Sequence, residues 1–211
     1  VLVQAAPRIL PTFPERLSAR AQSALEHLGV EVLLNSRVER IDERGVVLTV
    51  KRSNDPSAGS RVGDTDARAG GGERIAARTV LWAAGVVASP AAKWMNAAAD
   101  GAGRIKVAQD LSVPGMPNVF AVGDTALSTA WAGQPVPGLA PAAKQGGTFI
   151  ARLISSRVLG RREPRTFIYR HLGSLATIGR KAAVADFGFL RLSGAPAWWL
   201  WGLIHITFLV G

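Results

Sequence analysis

The stretch that decides the fold is Pro117 to Gly147, PNVFAVGDTALSTAWAGQPVPGLAPAAKQGG. Val119-Phe120-Ala121-Val122 is a short apolar run with β-branched members, which predicts one buried strand. It stops at Gly123-Asp124, where glycine admits close approach to the backbone and the carboxylate can accept hydrogen bonds from hydroxyl groups. A Pro/Gly-rich loop follows, then Ala140-Pro141-Ala142-Ala143-Lys144-Gln145. Proline is tolerated in a first helical turn, and the small residues around it leave backbone N–H groups accessible. Strand, Gly-Asp, loop and helix start would suit a polyhydroxylated, phosphate-bearing ligand. An ordinary α/β crossover with a turn aspartate fits Gly123-Asp124 equally well.

Working outward, Val1-Leu2-Val3 reads as the end of a strand. Thr12-Phe13-Pro14-Glu15 has capping-box spacing, with Thr12 as the cap. Leu17, Ala21, Ala24, Leu25 and Leu28 recur on one helical face, and Gly29 ends the helix. Val30 to Leu34 is the next strand, so the order is β-α-β and a parallel sheet is expected. Val46 to Val50 and Arg74 to Trp82 read as strands around an apolar-poor segment, 53–72, which is expected to be a flexible insertion. Ala83-Ala84-Gly85 then places three small residues at a strand's carboxyl end, where open α/β sheets admit ligands. Asp100 to Gly103 is a turn before a strand at Ile105 to Val107. After Pro141, a helix presents Phe149, Ile150, Leu153, Ile154 and Val158 as a core stripe. Tyr169 to Ala185 reads as two short strands around Gly173 and Gly179.

Composition narrows the function. There is no cysteine in the 211 residues, which removes disulfides, thiolate metal sites and dithiol relays. Three scattered histidines give no metal-ligand spacing, so no metal site is expected. The net charge is +10, and between Arg152 and Arg191 only Glu163 and Asp186 oppose a dense set of cations. Beside this basic segment lies the apolar ending Ala195 to Gly211, shorter than the roughly 20 residues a spanning helix needs. Trp198, Trp199 and Trp201 favour an interfacial position, and together the two features point to an anionic membrane surface. No nucleic-acid motif is present, and nucleic acid is not an expected partner. The chain starts at Val1 without Met and carries no GxGxxG, so it is expected to be a piece of a longer protein.

Taken together, Val119 to Thr125, Pro135 to Gly138, Ala140 to Gln145, Ser174 to Asp186 and Trp198 to Gly211 resemble the type II, non-proton-pumping NADH:quinone oxidoreductases. These are flavoproteins with two dinucleotide-binding domains, so the resemblance implies an α/β, Rossmann-like fold. It divides the chain into the second half of an NAD(P)H-binding domain (1–82), the second segment of an FAD-binding domain (83–160) and a C-terminal membrane-associating segment (161–211). It implies FAD and NAD(P)H as cofactors, and a hydride passed from NAD(P)H to the flavin with electrons going on to a membrane quinone. No side chain is implied as a catalytic acid, base or nucleophile. Gly123, Asp124, Ala140, Ala142, Ala143, Gln145 and Lys181 would lie against FAD, and Gln4, Ala83, Ala84 and Gly85 against NAD(P)H. Pro141 and Gln145 would border the quinone pocket, although Pro141 stands where the family has a glutamine. Gln4 stands where relatives usually carry glutamate, a change that would admit NADPH beside NADH. The implied setting is peripheral, on the cytoplasmic face of a bacterial inner membrane, with a homodimer open and the isolated piece inactive. Two alternatives are a non-catalytic membrane-surface binding module and a soluble flavoprotein of the ferredoxin-reductase kind.

Overall fold

The computed structural model describes residues 1–50 and 72–209. The expected insertion, apart from Gly72, lies outside the described residues. The chain divides into two compact units, one formed by residues 1–82 and 173–211, the other by 83–172.

The first unit opens with β1 (Leu2–Val3), α1 (Glu15–His27) and β2 (Val32–Leu33). β1 and β2 pair in parallel, Leu2 with Val32 and Val3 with Leu33, as the β-α-β reading expects. The start of α1 differs. Pro14, not Thr12, is the cap residue, and no side chain caps the helix. A residue before proline is disfavoured in the α region, so Phe13 cannot open the helix and is buried instead. Leu17 and Ala21 form the buried face of α1, whereas Leu28 is exposed. β3 (Ser36–Asp42), β4 (Gly45–Val50) and β5 (Glu73–Ala76) make an antiparallel sheet in that order, with Leu48 fully buried. β5 ends at Ala76, short of the expected Trp82; Leu81 and Trp82 are exposed and pair with no strand among the described residues.

The second unit contains α2 (Ala91–Trp94), β6 (Ile105–Lys106), β7 (Ser112–Val113), β8 (Met116–Phe120), β9 (Ala126–Leu127) and α3 (Ala140–Val158). β6 and β9 pair in parallel, while β8 folds back antiparallel on β7. The strand expected at 119–122 therefore lies earlier and is half-buried; only Ala121, just beyond it, is in the core. α3 packs through Ala142, Gly146 and Leu153. Ile154 and Val158 are not core as expected: they are 46% and 79% exposed.

The chain then returns to the first unit as β10 (Ser174–Thr177), β11 (Ala183–Asp186), β12 (Arg191–Gly194) and α4 (Ala195–Leu209). These strands form one antiparallel sheet; β10 and β11 are the two strands expected around Gly173 and Gly179, Tyr169 precedes the sheet, and β12 adds a third strand beyond that stretch. Ile178 and Val184 complete a core with Ile9, Phe13, Leu17 and Ala21, so this sheet covers α1. On α4, Ala197 packs against Ala183 and Ala185, small side chains that bring helix and sheet close together. Trp199, Leu203 and Ile206 remain exposed. No helix among the described residues is long and apolar enough to cross a membrane.

Candidate functional site

β8 delivers the chain to a tight corner. Val122 is extended and Gly123 turns into the left-handed region at φ +63°. A Cβ at Gly123 would stand 3.2 Å from the Ala143 methyl, so backbone shape and space both select glycine. Asp124 follows in a single turn of 3₁₀ helix, exposed to solvent. A Cβ at Gly138 would lie 2.8 Å from Asp124 Oδ1, so the carboxylate rests against the bare backbone of the Pro135–Gly138 loop. That loop is held by the Val136 amide, which donates to the Ser128 carbonyl at 2.8 Å.

Leu139 is extended, and α3 begins directly after it with Pro141 in the first turn, where a missing N–H costs nothing. Ala142 is buried and Ala143 half-buried, and Gly146 brings the helix backbone onto Val122, where a Cβ would meet Cγ1 at 3.3 Å. Alanine and glycine on this face thus let α3 sit directly on the Gly123 corner. Gln145 uses its amide twice: Nε2 donates to the Arg170 carbonyl at 2.9 Å, and the Arg170 amide donates to Oε1 at 3.0 Å. This clamp leaves Gln145 one further hydrogen and one further lone pair.

The clamp fixes an extended crossing segment that the sequence reading did not separate from the following strands. The Phe167 amide donates to the Gln109 carbonyl and the Tyr169 amide to the Ala130 carbonyl, at 2.8 and 3.0 Å. Tyr169 is buried, and that burial pushes its phenol above the ordinary value. Its hydroxyl lies 3.1 Å from His171 Nδ1, and Trp131 meets Tyr169 edge-on and tilts over His171. Phe167, Tyr169 and His171 alternate, a period-two signal that could have revealed the segment. Gly138 could not have been found from spacing, because its role lies in a contact across the loop.

The structure brings Gly123, Asp124, Ala140, Pro141, Ala142, Ala143 and Gln145 into one corner of the second unit. Ala83, Ala84 and Gly85 belong to the same unit, exposed, with Gly85 at φ +91°. Gln4 and Lys181 belong to the first unit. Gln4 follows β1, its amide donating to the Leu33 carbonyl. Lys181 is exposed at φ +65° in the β10–β11 turn.

The corner fits a hydroxyl-rich ligand. Its carboxylate is accessible, a methyl at Gly138 would press on that carboxylate and one at Gly123 would crowd Ala143, and the helix start beside it is built of small residues.

The model of the pyridine nucleotide-disulphide oxidoreductase family matches residues 1–147. The chain belongs to this family. Having no cysteine, it supplies no half of a redox disulphide itself. Within the family it is similar over its whole length to the type II NADH:quinone oxidoreductase NdhA of Mycobacterium tuberculosis, at 38% identity, covering 42% of that protein. The type II NADH:quinone oxidoreductase of Staphylococcus aureus is 33% identical over 84% of the chain, which covers 39% of it. The chain thus spans about two fifths of the length of these curated relatives. Among solved structures, NDH2 of Plasmodium falciparum, determined in complex with NADH, superposes with a TM-score of 0.79 over 99% of the chain and 54% of its own, at 17% identity. That likeness bears on the fold.

Proposed function

We propose that these residues are part of an FAD-dependent NAD(P)H:quinone oxidoreductase that does not pump protons. The observation that carries the reading is 38% identity along the whole chain to a type II NADH:quinone oxidoreductase, joined to a corner at Asp124 suited to a hydroxyl-rich cofactor. When bound, flavin takes a hydride from the nicotinamide and passes electrons onward.

Asp124 would accept hydrogen bonds from ribityl hydroxyls, and Gly123 and Gly138 would keep side chains out of their way. Ala140, Ala142 and Ala143 would let the flavin approach the start of α3. Gln145 would face the quinone with its remaining hydrogen and lone pair while its other two bonds hold Arg170, and Pro141 would shape the same pocket without donating to it. Ala83, Ala84 and Gly85 would line the nicotinamide side, Gln4 would meet the adenosine ribose, and Lys181 would approach FAD. The apolar α4, with Trp199, Leu203 and Ile206 exposed, supports peripheral attachment at a membrane interface. The cytoplasmic face of a bacterial inner membrane is the proposed setting.

The test uses the full-length protein. It should purify with bound flavin, and Asp124→Ala should lose most of it, because each charge-assisted hydrogen bond contributes about 1.5–3 kcal/mol. Unchanged flavin absorbance in the variant would remove Asp124 from the site. An enzyme that fails to oxidise NADH with a quinone analogue would overturn the wider reading.

A further inference from the structure

The outer face of α3 carries a combination that neither the flavin corner nor the fold requires. An open groove of about 750 Å³ runs along it, lined by Thr148, Arg152, Ser155, Arg161, Arg162 and Pro164 among others. None of the three arginines forms an ion pair among the described residues. The groove's one carboxylate, Glu163, is engaged at 2.9 Å by Arg157. Arg157 also donates to the Pro117 carbonyl, so it is tied to the body of the unit and not to the groove. The guanidiniums of Arg152, Arg161 and Arg162 are therefore available together.

The last turns of the same helix, and Leu159 just past it, also leave large aliphatic side chains uncovered. Ile154, Val158 and Leu159 are 46%, 79% and 55% exposed. A helix that mixes cations with uncovered aliphatics is badly matched to water and well matched to a bilayer interface. There guanidinium forks bind phosphate oxygens, and the aliphatics reach below the headgroups.

We propose that this groove, together with the uncovered aliphatics at the end of α3, forms a docking surface for an anionic phospholipid bilayer, with headgroup phosphates held by Arg152, Arg161 and Arg162. The proposal rests on the reading of a membrane-working oxidoreductase, and it adds a contact in the second unit, separate in sequence from α4. The groove's open form favours a lipid layer over a soluble phosphate, since sites for small molecules enclose most of their ligand. Aliphatic rather than aromatic neighbours disfavour single-stranded nucleic acid, which is held by stacking.

The test compares full-length holoprotein with the triple variant Arg152→Gln, Arg161→Gln and Arg162→Gln. Partitioning is measured at low salt onto phosphatidylcholine vesicles with and without one part in three of phosphatidylglycerol. Each guanidinium near an anionic surface is worth roughly fivefold, so the variant should lose on the order of a hundredfold on anionic vesicles and little on neutral ones. A second measurement needs only wild type. An arginine-directed dicarbonyl should modify the three residues in vesicle-free protein, anionic vesicles should protect them, and millimolar inorganic phosphate should not. Unchanged partitioning, or protection by phosphate alone, overturns the proposal. So does failure to label without vesicles, which would mean that the rest of the full-length chain covers the groove. NADH oxidation with a water-soluble quinone analogue is followed alongside. Its absence in wild type would sink the oxidoreductase reading and leave the vesicle result to stand by itself.

Discussion

Only 2.8 Å separates Asp124 Oδ1 from where a Gly138 Cβ would stand, closer than such contacts allow. No positive φ is required at Gly138, so alanine is tolerated by the backbone and the strain falls on the carboxylate. Gly138→Ala should therefore leave the melting temperature nearly unchanged and weaken flavin retention about tenfold, equivalent to one charge-assisted hydrogen bond at about 1.5 kcal/mol. Flavin released on dilution, quantified by fluorescence, checks this; equal release would mean that the loop simply yields. Asp42 makes a different kind of residue-scale case. Arg74 binds both its oxygens, at 2.7 and 3.0 Å, and the Arg44 amide also donates to it, which holds its pKa near about 2. A carboxyl depressed in the folded state contributes stability above its unfolded value near 3.8 and loses it as pH falls toward 2. Asp42→Asn should then be the less stable protein at pH 6, with the gap closing between about pH 4 and 2 in a series of urea melts. A gap independent of pH would assign the effect to packing. If Gln4 meets the adenosine ribose as proposed, its amide can bond the hydroxyl but lacks the charge that repels a 2′-phosphate. The intact enzyme should accept NADPH beside NADH, and Gln4→Glu should cut kcat/KM for NADPH by about ten- to a hundredfold, or about 1.4–2.8 kcal/mol. A variant with an unchanged NADPH/NADH ratio would show that Gln4 does not set the choice.

Among the elements, α3 separates what a pattern reveals from what it conceals. Its apolar stripe was legible, but periodicity cannot say whether a neighbour covers each member: Leu153 is buried while Val158 on the same stripe is exposed. Leu153→Ala should cost about 2–5 kcal/mol in denaturant unfolding, and Val158→Ala about 0.5 kcal/mol or less. Similar costs for the two would mean that Val158 is covered in the intact protein. The β1–α1–β2 unit was legible because Leu17 and Ala21 repeat at helical spacing between two apolar runs. β3 was not, because the bulge between Val38 and Arg40 breaks the alternation and puts its apolar residues, Val38 and Ile41, three apart. β12 is too short to signal itself: Arg191-Leu192-Ser193-Gly194 is a strand only because β11 lies beside it. In the candidate site, Gly123, Asp124 and the start of α3 could be read from local chemistry. The Gln145–Arg170 clamp could not, since it joins residues 25 positions apart.

For the molecule as a whole, the proposed attachment to a membrane surface turns on α4. Ala197 anchors α4 to its own sheet, whereas Trp199, Leu203 and Ile206 are presented outward. Changing those three to serine should spare the fold and reduce vesicle binding by at least about a hundredfold, since each large apolar side chain moved out of water is worth about 1.5–3 kcal/mol. Co-sedimentation of the full-length protein with vesicles is the measurement, with circular dichroism to confirm the helix. Undiminished binding would show that α4 is covered by protein rather than lipid.

The grouping of residues 1–82 with 173–211 also sets a schedule. Residues 83–172 are continuous, so every partner they need within their unit has been synthesised by the time the last of them leaves the ribosome. α1 has no such luck: Leu17 and Ala21 must wait for Ile178 and Val184, more than 150 positions later. At about 5–20 residues per second, the part of that helix that Ile178 and Val184 cover stands open on the nascent chain for on the order of ten seconds. During that interval it is a natural client for a holding chaperone, and slowing translation past residue 172 would lengthen its exposure.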